Sequence, residues 1–217
     1  MTAPAIKICG ITRVEDALAA VASGATMLGL NFYPGSPRCI TLQQAREIAA
    51  AITAPVKLVG VFVNMNVADV LRIARAVPLH AVQLHGDESP QDCSALAAEF
   101  EVIRALPAKA GFNSGQLAEI TCCRGIMLDA PSSAYGGSGA SFDWASVDWT
   151  GVRAAVPLAS LFLAGGLNAA NVAEAIAIVH PDVVDVCSGV ESVKGIKSAD
   201  KMRAFVAAVR AAERQEP

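Results

Sequence analysis

Short runs rich in β-branched residues alternate with alanine-rich amphipathic runs along the whole chain, and this alternation restricts the fold more than any other feature of the sequence. The first kind of run predicts eight strands, at Ala5–Cys9, Met27–Phe32, Lys57–Val63, Ala81–Leu84, Glu101–Ala105, Gly125–Asp129, Leu161–Ala164 and Val183–Val186. Apolar residues spaced three and four apart predict helices at Val14–Ser23, Leu42–Ala51, Val67–Ala76, Pro90–Phe100, Asn171–Val179 and Ala199–Ala212. Two further helices, near Ser114 and Ser146, have a weaker pattern.

The strands are typical of a parallel sheet covered by helices, because segments such as 57–63 (KLVGVFV) and 125–130 (GIMLDA) are almost continuously apolar. Eight repeats favour closure, and no Pro/Ser-rich linker marks a domain boundary. We therefore predict the α/β class, with a single (β/α)8 TIM barrel over residues 1–217. The alternative is a doubly wound open sheet, but CGIT at 9–12 stands where its dinucleotide fingerprint GxGxxG would follow the first strand.

The charge balance and the composition exclude several classes of partner. The formal net charge is −3, from 17 Lys and Arg against 20 Asp and Glu, and no basic run is present, so we expect no nucleic-acid partner. Two uncharged stretches, 17–37 and 154–173, are long enough to cross a membrane, but Gly, Pro and Asn interrupt both, and we expect no membrane association. The opening MTAPAIKICG lacks the pattern of a secretory signal, which predicts a cytoplasmic protein.

The cysteines do not indicate a metal site or a disulfide framework. Six are scattered along the chain, without CxxC pairs or His at ligand spacing: Cys9, Cys39, Cys93, Cys122, Cys123 and Cys187. We interpret Cys93, Cys122 and Cys123 as buried thiols in a reducing compartment. Cys9 stays open to a chemical role, because it ends a strand and precedes a glycine.

Polar residues collect where the predicted strands end, which in a closed barrel is the functional face. Cys9 could be a small buried hydrophobe, or a nucleophile or base once it is ionised. Asp129 could cap a helix or pair with a cation, or it could be an acid if desolvation or a negatively charged ligand favours its protonated form. Asp185 and His85 could orient a neighbouring group or serve as buried hydrogen-bonding residues.

Glycines follow the seventh and eighth strands at Gly165, Gly166 and Gly189, beside Ser188. Glycine permits close main-chain approach and positive φ, which suit a phosphate bound by backbone N–H groups, although one such loop alone would indicate only a tight turn. Two loops at these strands predict a phosphorylated small-molecule substrate.

Arg38 lies in a Pro/Gly-framed loop, where its planar guanidinium would suit a carboxylate or phosphate of a ligand. The alternative is a solvated loop arginine. Ser36, Ser138 and Ser188 lack a His/Asp relay, so a hydrolase triad is not predicted.

Taken in order, these segments resemble the phosphoribosylanthranilate isomerase family over nearly the whole chain. The matching motifs are KICGIT (7–12), PGSPR (34–38), GVFVN (60–64), QLHG (83–86), LDA (128–130), GGSG (136–139), FDW (142–144), AGGLN (164–168) and SGVE (188–191). The chain departs from the family pattern at Cys187, where serine is common, at Ala140, where lysine often follows, and at Ser198, where aspartate often stands.

The resemblance implies a metal-free, cofactor-free Amadori rearrangement in tryptophan biosynthesis, with Cys9 as general base and Asp129 as general acid. It further implies that Arg38 binds the anthranilate carboxylate, that His85 and Asp185 are active-site neighbours, and that Gly165, Gly166, Ser188 and Gly189 bind the phosphate. The loop that contains Gly139 would close over the ligand. The enzyme would act as a monomer or homodimer.

Three other functions fit parts of this pattern. The related histidine-pathway isomerase would need an acid at the first strand and another at the fifth, where 103–106 reads IRAL. Indole-glycerol-phosphate synthase would need catalytic Lys and Glu at strand ends, and Lys7 alone does not supply them. A non-catalytic phosphate-binding barrel would keep the glycine loops without needing Cys9 and Asp129.

Overall fold

The computed structural model describes residues 4–108, 111–131 and 141–213. Eight parallel strands form a closed barrel: β1 (Ala5–Cys9), β2 (Met27–Asn31), β3 (Lys57–Phe62), β4 (Ala81–Leu84), β5 (Glu101–Pro107), β6 (Gly125–Asp129), β7 (Ser160–Leu163) and β8 (Val183–Val186). Each strand pairs with its neighbour in sequence, and the pairing of β1 with β8 closes the ring. The predicted (β/α)8 barrel is confirmed, and the open sheet is wrong.

In the part of the chain that the structure describes, seven α-helices surround the strands: α1 (Val14–Ser23), α2 (Leu42–Ala51), α3 (Val67–Ala76), α4 (Pro90–Ala97), α5 (Trp149–Ala155), α6 (Val172–Val179) and α7 (Ala199–Glu213). Local signals in the sequence fix several of their starts. Thr41 and Gln44 form a reciprocal capping box at α2, and Ser89 does the same with Asp92 at α4, where Pro90 is the first helical residue.

The structure differs from the sequence-based prediction where the helical pattern is weak. The segment Ser114–Ile120 between β5 and β6 is a 3₁₀ helix, with Asn113 accepting a hydrogen bond from the Gly115 N–H at its start. After β6, a short 3₁₀ turn at Trp144–Ser146 precedes α5. A further small hairpin, β9 (Glu191–Val193) with β10 (Ile196–Lys197), lies between β8 and α7.

The apolar core has two layers, separated by the sheet. An outer layer fills the space between strands and helices, and an inner layer fills the barrel with Val59, Ala81, Ile103, Ala105, Met127, Phe162, Ala164 and Val183. Side chains alternate along a strand, so the residues two positions beyond this inner layer also point inward, at the C-terminal end of the barrel. Among the described residues, no helix has the length and apolar character needed to cross a membrane.

Candidate active site

Cys9 ends β1 and faces the barrel mouth, where its side chain is almost entirely buried. Its register partner on β2 is Gly29. A Cβ atom on Gly29 would lie 2.7 Å from the Cys9 sulfur, so the absence of a side chain there creates the space that the thiol occupies. The sequence prediction did not identify this role of Gly29, because it depends on the pairing of two strands.

A buried ion pair lies one layer below the Cys9 thiol. The Lys7 ammonium, which is completely buried, donates to Asp185 Oδ1 at 3.0 Å across the β1–β8 pair. Burial alone would lower the pKa of Lys7, but the charges of Asp185 and Cys9 raise it above its ordinary value, so the ammonium stays protonated. Lys7 therefore supplies a fixed positive charge beneath the thiol.

A second thiol and a second lysine flank Cys9 on the β8 side. Lys197 Nζ donates to the main-chain carbonyl of Cys187 at 3.1 Å and lies 3.7 Å from the Cys187 sulfur. A hydrogen bond from Cys187 is the main influence that lowers the pKa of the Cys9 thiol. Burial raises the pKa of Cys9, but the charges of Lys7 and Lys197 lower it further, so that it lies well below its ordinary value. The surroundings favour the thiolate form of Cys9.

Asp129 ends β6 on the other side of the same mouth, three strands from β1 around the barrel. Its Oδ1 accepts the N–H of Ala130 at 2.7 Å, and its Oδ2 lies 3.2 Å from Nε2 of His85. The Gln83 amide Nε2 lies 2.9 Å from Nδ1 of the same ring. With this orientation of the amide, Nδ1 accepts from Gln83, and Nε2–H donates to Asp129.

Asp185 connects the two halves of the mouth electrostatically. Burial raises its pKa to about 7, against the opposing effect of Lys7, and the negative charges of Cys9 and Asp129 both contribute to the increase. The thiol and the Asp129 carboxyl therefore act on one shared neighbour. A small ring bound between Cys9 and Asp129 would have a basic sulfur on one side and a carboxyl group on the other.

Arg38 is buried, so the alternative of a solvated loop arginine is wrong. Its Nε and Nη2 atoms donate to the two oxygens of Glu191 at 2.7 and 2.8 Å, a bidentate pair that holds the guanidinium plane. Gly10 has a φ of +72°, and a Cβ there would lie 2.6 Å from Arg38 Cδ, so a glycine is required where the arginine crosses the chain. Nη1 donates no hydrogen bond to a described residue.

The loop after β7 presents its main chain to the mouth. Gly165 and Gly166 have φ values of +88° and +62°, and the side chain of Asn171 donates to the Gly166 carbonyl at 3.1 Å. The N–H groups of both glycines have no hydrogen-bond partner among the described residues. A Cβ on Gly165 would also lie 3.2 Å from Asp129 Oδ1, so this loop approaches the candidate acid closely.

Ser188 and Gly189 follow β8 in a short 3₁₀ turn, Ser188–Val190. A Cβ on Gly189 would lie 2.0 Å from the Leu167 carbonyl oxygen, which means that the loops after β7 and β8 can pack together only because this residue is glycine. Gly189 is therefore needed for close approach and not for positive φ. Gly139 lies outside the described residues, as do the other members of the GGSG segment.

The fifth strand offers no acid at the barrel mouth, because Glu101 lies at its opposite end. Ile103 and Ala105 belong to the inner core, whereas Arg104 points to the other face of the sheet and donates to the carbonyl groups of Leu84 and Gly86. The paired acids of the histidine-pathway alternative are therefore missing at this position.

Sequence reasoning missed Glu191 and Lys197 as members of the site, and it gave Lys7 no role. These three side chains are buried and charged, within hydrogen-bond distance of Arg38, Cys187 and Asp185 respectively. The available signal for Lys7 was its position two residues before Cys9, which places both on the inward face of β1. No comparable signal exists for Lys197, because the hairpin that carries it is short and irregular.

Comparison with known proteins identifies a family. A family model described as N-(5'phosphoribosyl)anthranilate (PRA) isomerase matches residues 6–208. The N-(5'-phosphoribosyl)anthranilate isomerase of Pseudomonas paraeruginosa is 47% identical over 218 residues, covering 100% of both chains.

Solved structures of this family have the same fold. The crystal structure of phosphoribosyl anthranilate isomerase from Thermotoga maritima is 39% identical, covers 96% of this chain and 99% of its own, and superposes with a TM-score of 0.88. A phosphoribosyl anthranilate isomerase in complex with reduced 1-(o-carboxyphenylamino)-1-deoxyribulose 5-phosphate is 37% identical, with 96% and 99% coverage and a TM-score of 0.84.

Proposed function

The chain belongs to the N-(5'-phosphoribosyl)anthranilate isomerase family, and from this premise we propose that it converts N-(5-phosphoribosyl)anthranilate to 1-(2-carboxyphenylamino)-1-deoxyribulose 5-phosphate in tryptophan biosynthesis, with Asp129 as acid and Cys9 as base. The observation that carries the residue assignment is the cation-flanked Cys9 thiol across the barrel mouth from Asp129. This arrangement supplies a base and an acid to one bound molecule.

In the first step, Asp129 protonates the furanose ring oxygen, and the C1–O bond breaks to give an open-chain iminium. The contacts at Asp129 orient the carboxyl group for this step, because the Ala130 N–H holds Oδ1 and His85 Nε2 lies 3.2 Å from Oδ2. A bound phosphate dianion adds negative charge to the mouth and favours the protonated acid. The products of this step are an iminium and an Asp129 carboxylate.

In the second step, the Cys9 thiolate removes the proton from C2, which the neighbouring iminium has made acidic. The electron pair of the C2–H bond forms the C1=C2 bond, and the former C=N electrons return to nitrogen, giving an enolamine. Proton gain at C1 and loss from the C2 hydroxyl then yield the ketone. Because the iminium is itself the electron sink, the reaction requires neither pyridoxal phosphate nor a metal.

Substrate binding uses groups that the described residues leave open to a ligand. Arg38 binds the anthranilate carboxylate through Nη1, while Glu191 fixes the rest of its guanidinium. The phosphate binds the main-chain N–H groups of the Gly165–Gly166 loop, with Ser188 and Gly189 beside it. We further propose a cytoplasmic enzyme that acts as a monomer or homodimer.

The test compares Cys9→Ala and Asp129→Asn with the wild type. The labile substrate is generated in the cuvette, and loss of its anthranilate-type fluorescence reports turnover. Each substitution removes a positioned acid or base, so kcat should fall by about 10²–10⁴-fold. Near wild-type turnover in both variants would show that the residue assignment is wrong.

Matched controls separate chemistry from folding. Cys122→Ala removes a thiol that precedes β6, at the opposite end of the barrel, and Asp69→Asn changes an exposed carboxylate on α3. Both should leave kcat within about twofold of the wild type. Bound reduced product should protect all folded variants from thermal unfolding, so loss of turnover with intact protection identifies a loss of chemistry.

A further inference from the structure

The mouth contains two thiols side by side, although the proposed reaction uses one. In the β1–β8 ladder Ile8 is the register partner of Val186, so the next residues along, Cys9 and Cys187, are neighbours. Both lie two residues beyond the inward-facing pair of Lys7 and Asp185, and they therefore point into the same mouth. The two sulfurs are close enough to share a hydrogen bond.

The buried charges around these thiols do not balance when both are protonated. The cluster contains three buried cations and two buried carboxylates: Lys7, Arg38 and Lys197 with Asp185 and Glu191. Glu191 is shared, because it accepts from Arg38 at 2.7 Å and from Lys197 at 3.0 Å. A buried charge is stable only when it is compensated, so the cluster favours one further negative charge.

Neighbouring carboxylates outside this cluster have other partners. Asp129 faces His85 Nε2 and reaches the cluster only through its effect on Asp185, and Asp16 forms an ion pair with Arg13 while it accepts the backbone N–H of Lys197. The groups that face the thiol pair are thus Lys7 from β1, Asp185 from β8, Arg38 from the loop after β2 and Lys197 from β10. Glu191 from β9 lies behind them and contacts Arg38 and Lys197. A thiol pair that has lost one of its two protons supplies the missing anion.

We propose that Cys187 and Lys197 are positioning residues for the reaction. Cys187 keeps its proton and donates a hydrogen bond to the Cys9 sulfur, and the Lys197 ammonium compensates the negative charge of the thiol pair. Cys9 carries the charge because it also contacts the Lys7 ammonium, whereas the hydrogen bond with Cys9 and, after it, burial raise the pKa of Cys187. This inference deepens the proposed function and rests on the role of Cys9 as base.

The experiment measures the ionisation of Cys9 directly. Iodoacetamide reacts with thiolates, so the alkylation rate of the Cys9-containing peptide is followed by mass spectrometry from pH 5 to 10 in the reduced full-length protein. Cys187→Ala and Lys197→Met should each move the midpoint of this titration upward by about one unit, which lowers the rate on its acid side about tenfold. Alkylation of Cys122 in the same digest is the internal control and should not change.

Conservative variants distinguish an electrostatic role from a structural one. Lys197→Arg retains the positive charge, and Cys187→Ser retains a hydrogen-bond donor. The midpoint of the Cys9 alkylation titration should therefore stay closer to the wild-type value in these variants than in Lys197→Met and Cys187→Ala. The acid limb of the pH profile of kcat/KM should shift with the alkylation midpoint in every variant. Cys187→Ala removes one sulfur atom only, and it decides the question if Lys197→Met does not fold.

Unchanged Cys9 titration in Cys187→Ala would overturn the proposal, even if kcat fell. Failure of the proposed function has a different signature. If Cys9→Ala retained turnover, Cys9 would not be the base, yet the alkylation midpoint of the wild-type thiol would still report whether Cys187 and Lys197 control its ionisation.

Discussion

Gly29 should be as important to catalysis as a residue that contacts the substrate, because it provides the volume that the Cys9 sulfur occupies. A methyl group added in Gly29→Ala would meet Cys9 Sγ at 2.7 Å and Cys9 Cα at 3.0 Å. One of these contacts is with backbone inside a paired strand, so a side-chain rotation of Cys9 alone cannot relieve the crowding.

The size of the effect follows from these distances. Non-bonded heavy atoms are most stable at about 3.5–4.0 Å, so the sulfur and its strand must retreat by roughly 1 Å. Overpacking of this kind costs about 1–3 kcal/mol of stability. A displacement of about 1 Å in a reacting group can cost about 10²-fold in rate, and we expect a loss of that order in kcat.

Gly60→Ala is the matched control, because Gly60 is equally crowded but faces the helices. Its added Cβ would meet Leu79 Cδ1 at 2.6 Å and the Phe62 ring at 2.8 Å, both in the outer core. Both variants should have a lower Tm, by about 2–4 °C for each kcal/mol of stability lost in a chain of this size. Steady-state fluorescence assays should show the large fall in kcat for Gly29→Ala alone. Equal kcat values in the two folded variants would refute the argument that Gly29 positions the thiol.

Two further predictions concern the buried charges. Glu191→Gln leaves Arg38 and Lys197 without their shared anion and should lower the free energy of unfolding, measured in urea, by about 3–5 kcal/mol. The control Glu101→Gln breaks the exposed ion pair with Lys57 and should lower it by about 0–1 kcal/mol. Equal losses in the two variants would contradict the role of Glu191 as the shared anion. Burial raises the pKa of Asp185 to about 7 from an ordinary 3.8, so the folded state holds this proton more tightly, and the resulting stabilisation is complete below about pH 4 and lost as the pH rises to 7. The stability of the wild type relative to Asp185→Asn should therefore decrease between pH 4 and 7 in urea titrations, and parallel curves would contradict this assignment.

The barrel could be predicted from the sequence because its signals are local and repeated. Four of the eight predicted strands, including those that end in Cys9 and Asp129, have the predicted bounds, and α1, α2 and α3 do as well. The error near Ser114 has a physical cause: the segment contains Gly115, and Asn113 competes for its backbone N–H, so the chain forms a tighter 3₁₀ helix in place of an α-helix.

The candidate site was predictable only where position along one strand decides the outcome. Cys9 and Asp129 could be placed at the mouth from the sequence because strand ends face it, and His85, which contacts Asp129, could be placed there in the same way. The partners of Arg38 and Cys187 could not be predicted, because both lie on the β9–β10 hairpin. Glu191 is 153 residues from Arg38 in the chain, and Lys197 is 10 residues from Cys187. Such pairings depend on tertiary packing, which periodicity does not encode.

The acid–base character of the mouth depends on the register of β1 more than on any single contact. Lys7 and Cys9 are two residues apart on β1, so both side chains point into the barrel. There they lie next to Asp185 on β8 and Cys187, the residue after β8. A shift of one residue would turn both toward the helices and bring Ile6 and Ile8 into the mouth in their place. Because Ile6 and Ile8 are fully buried in the outer core, the apolar packing that stabilises the barrel also holds the charged side chains in their inward orientation. The inward and outward alternation of side chains along β1 therefore both builds the apolar core and places Lys7 beside the Cys9 thiol.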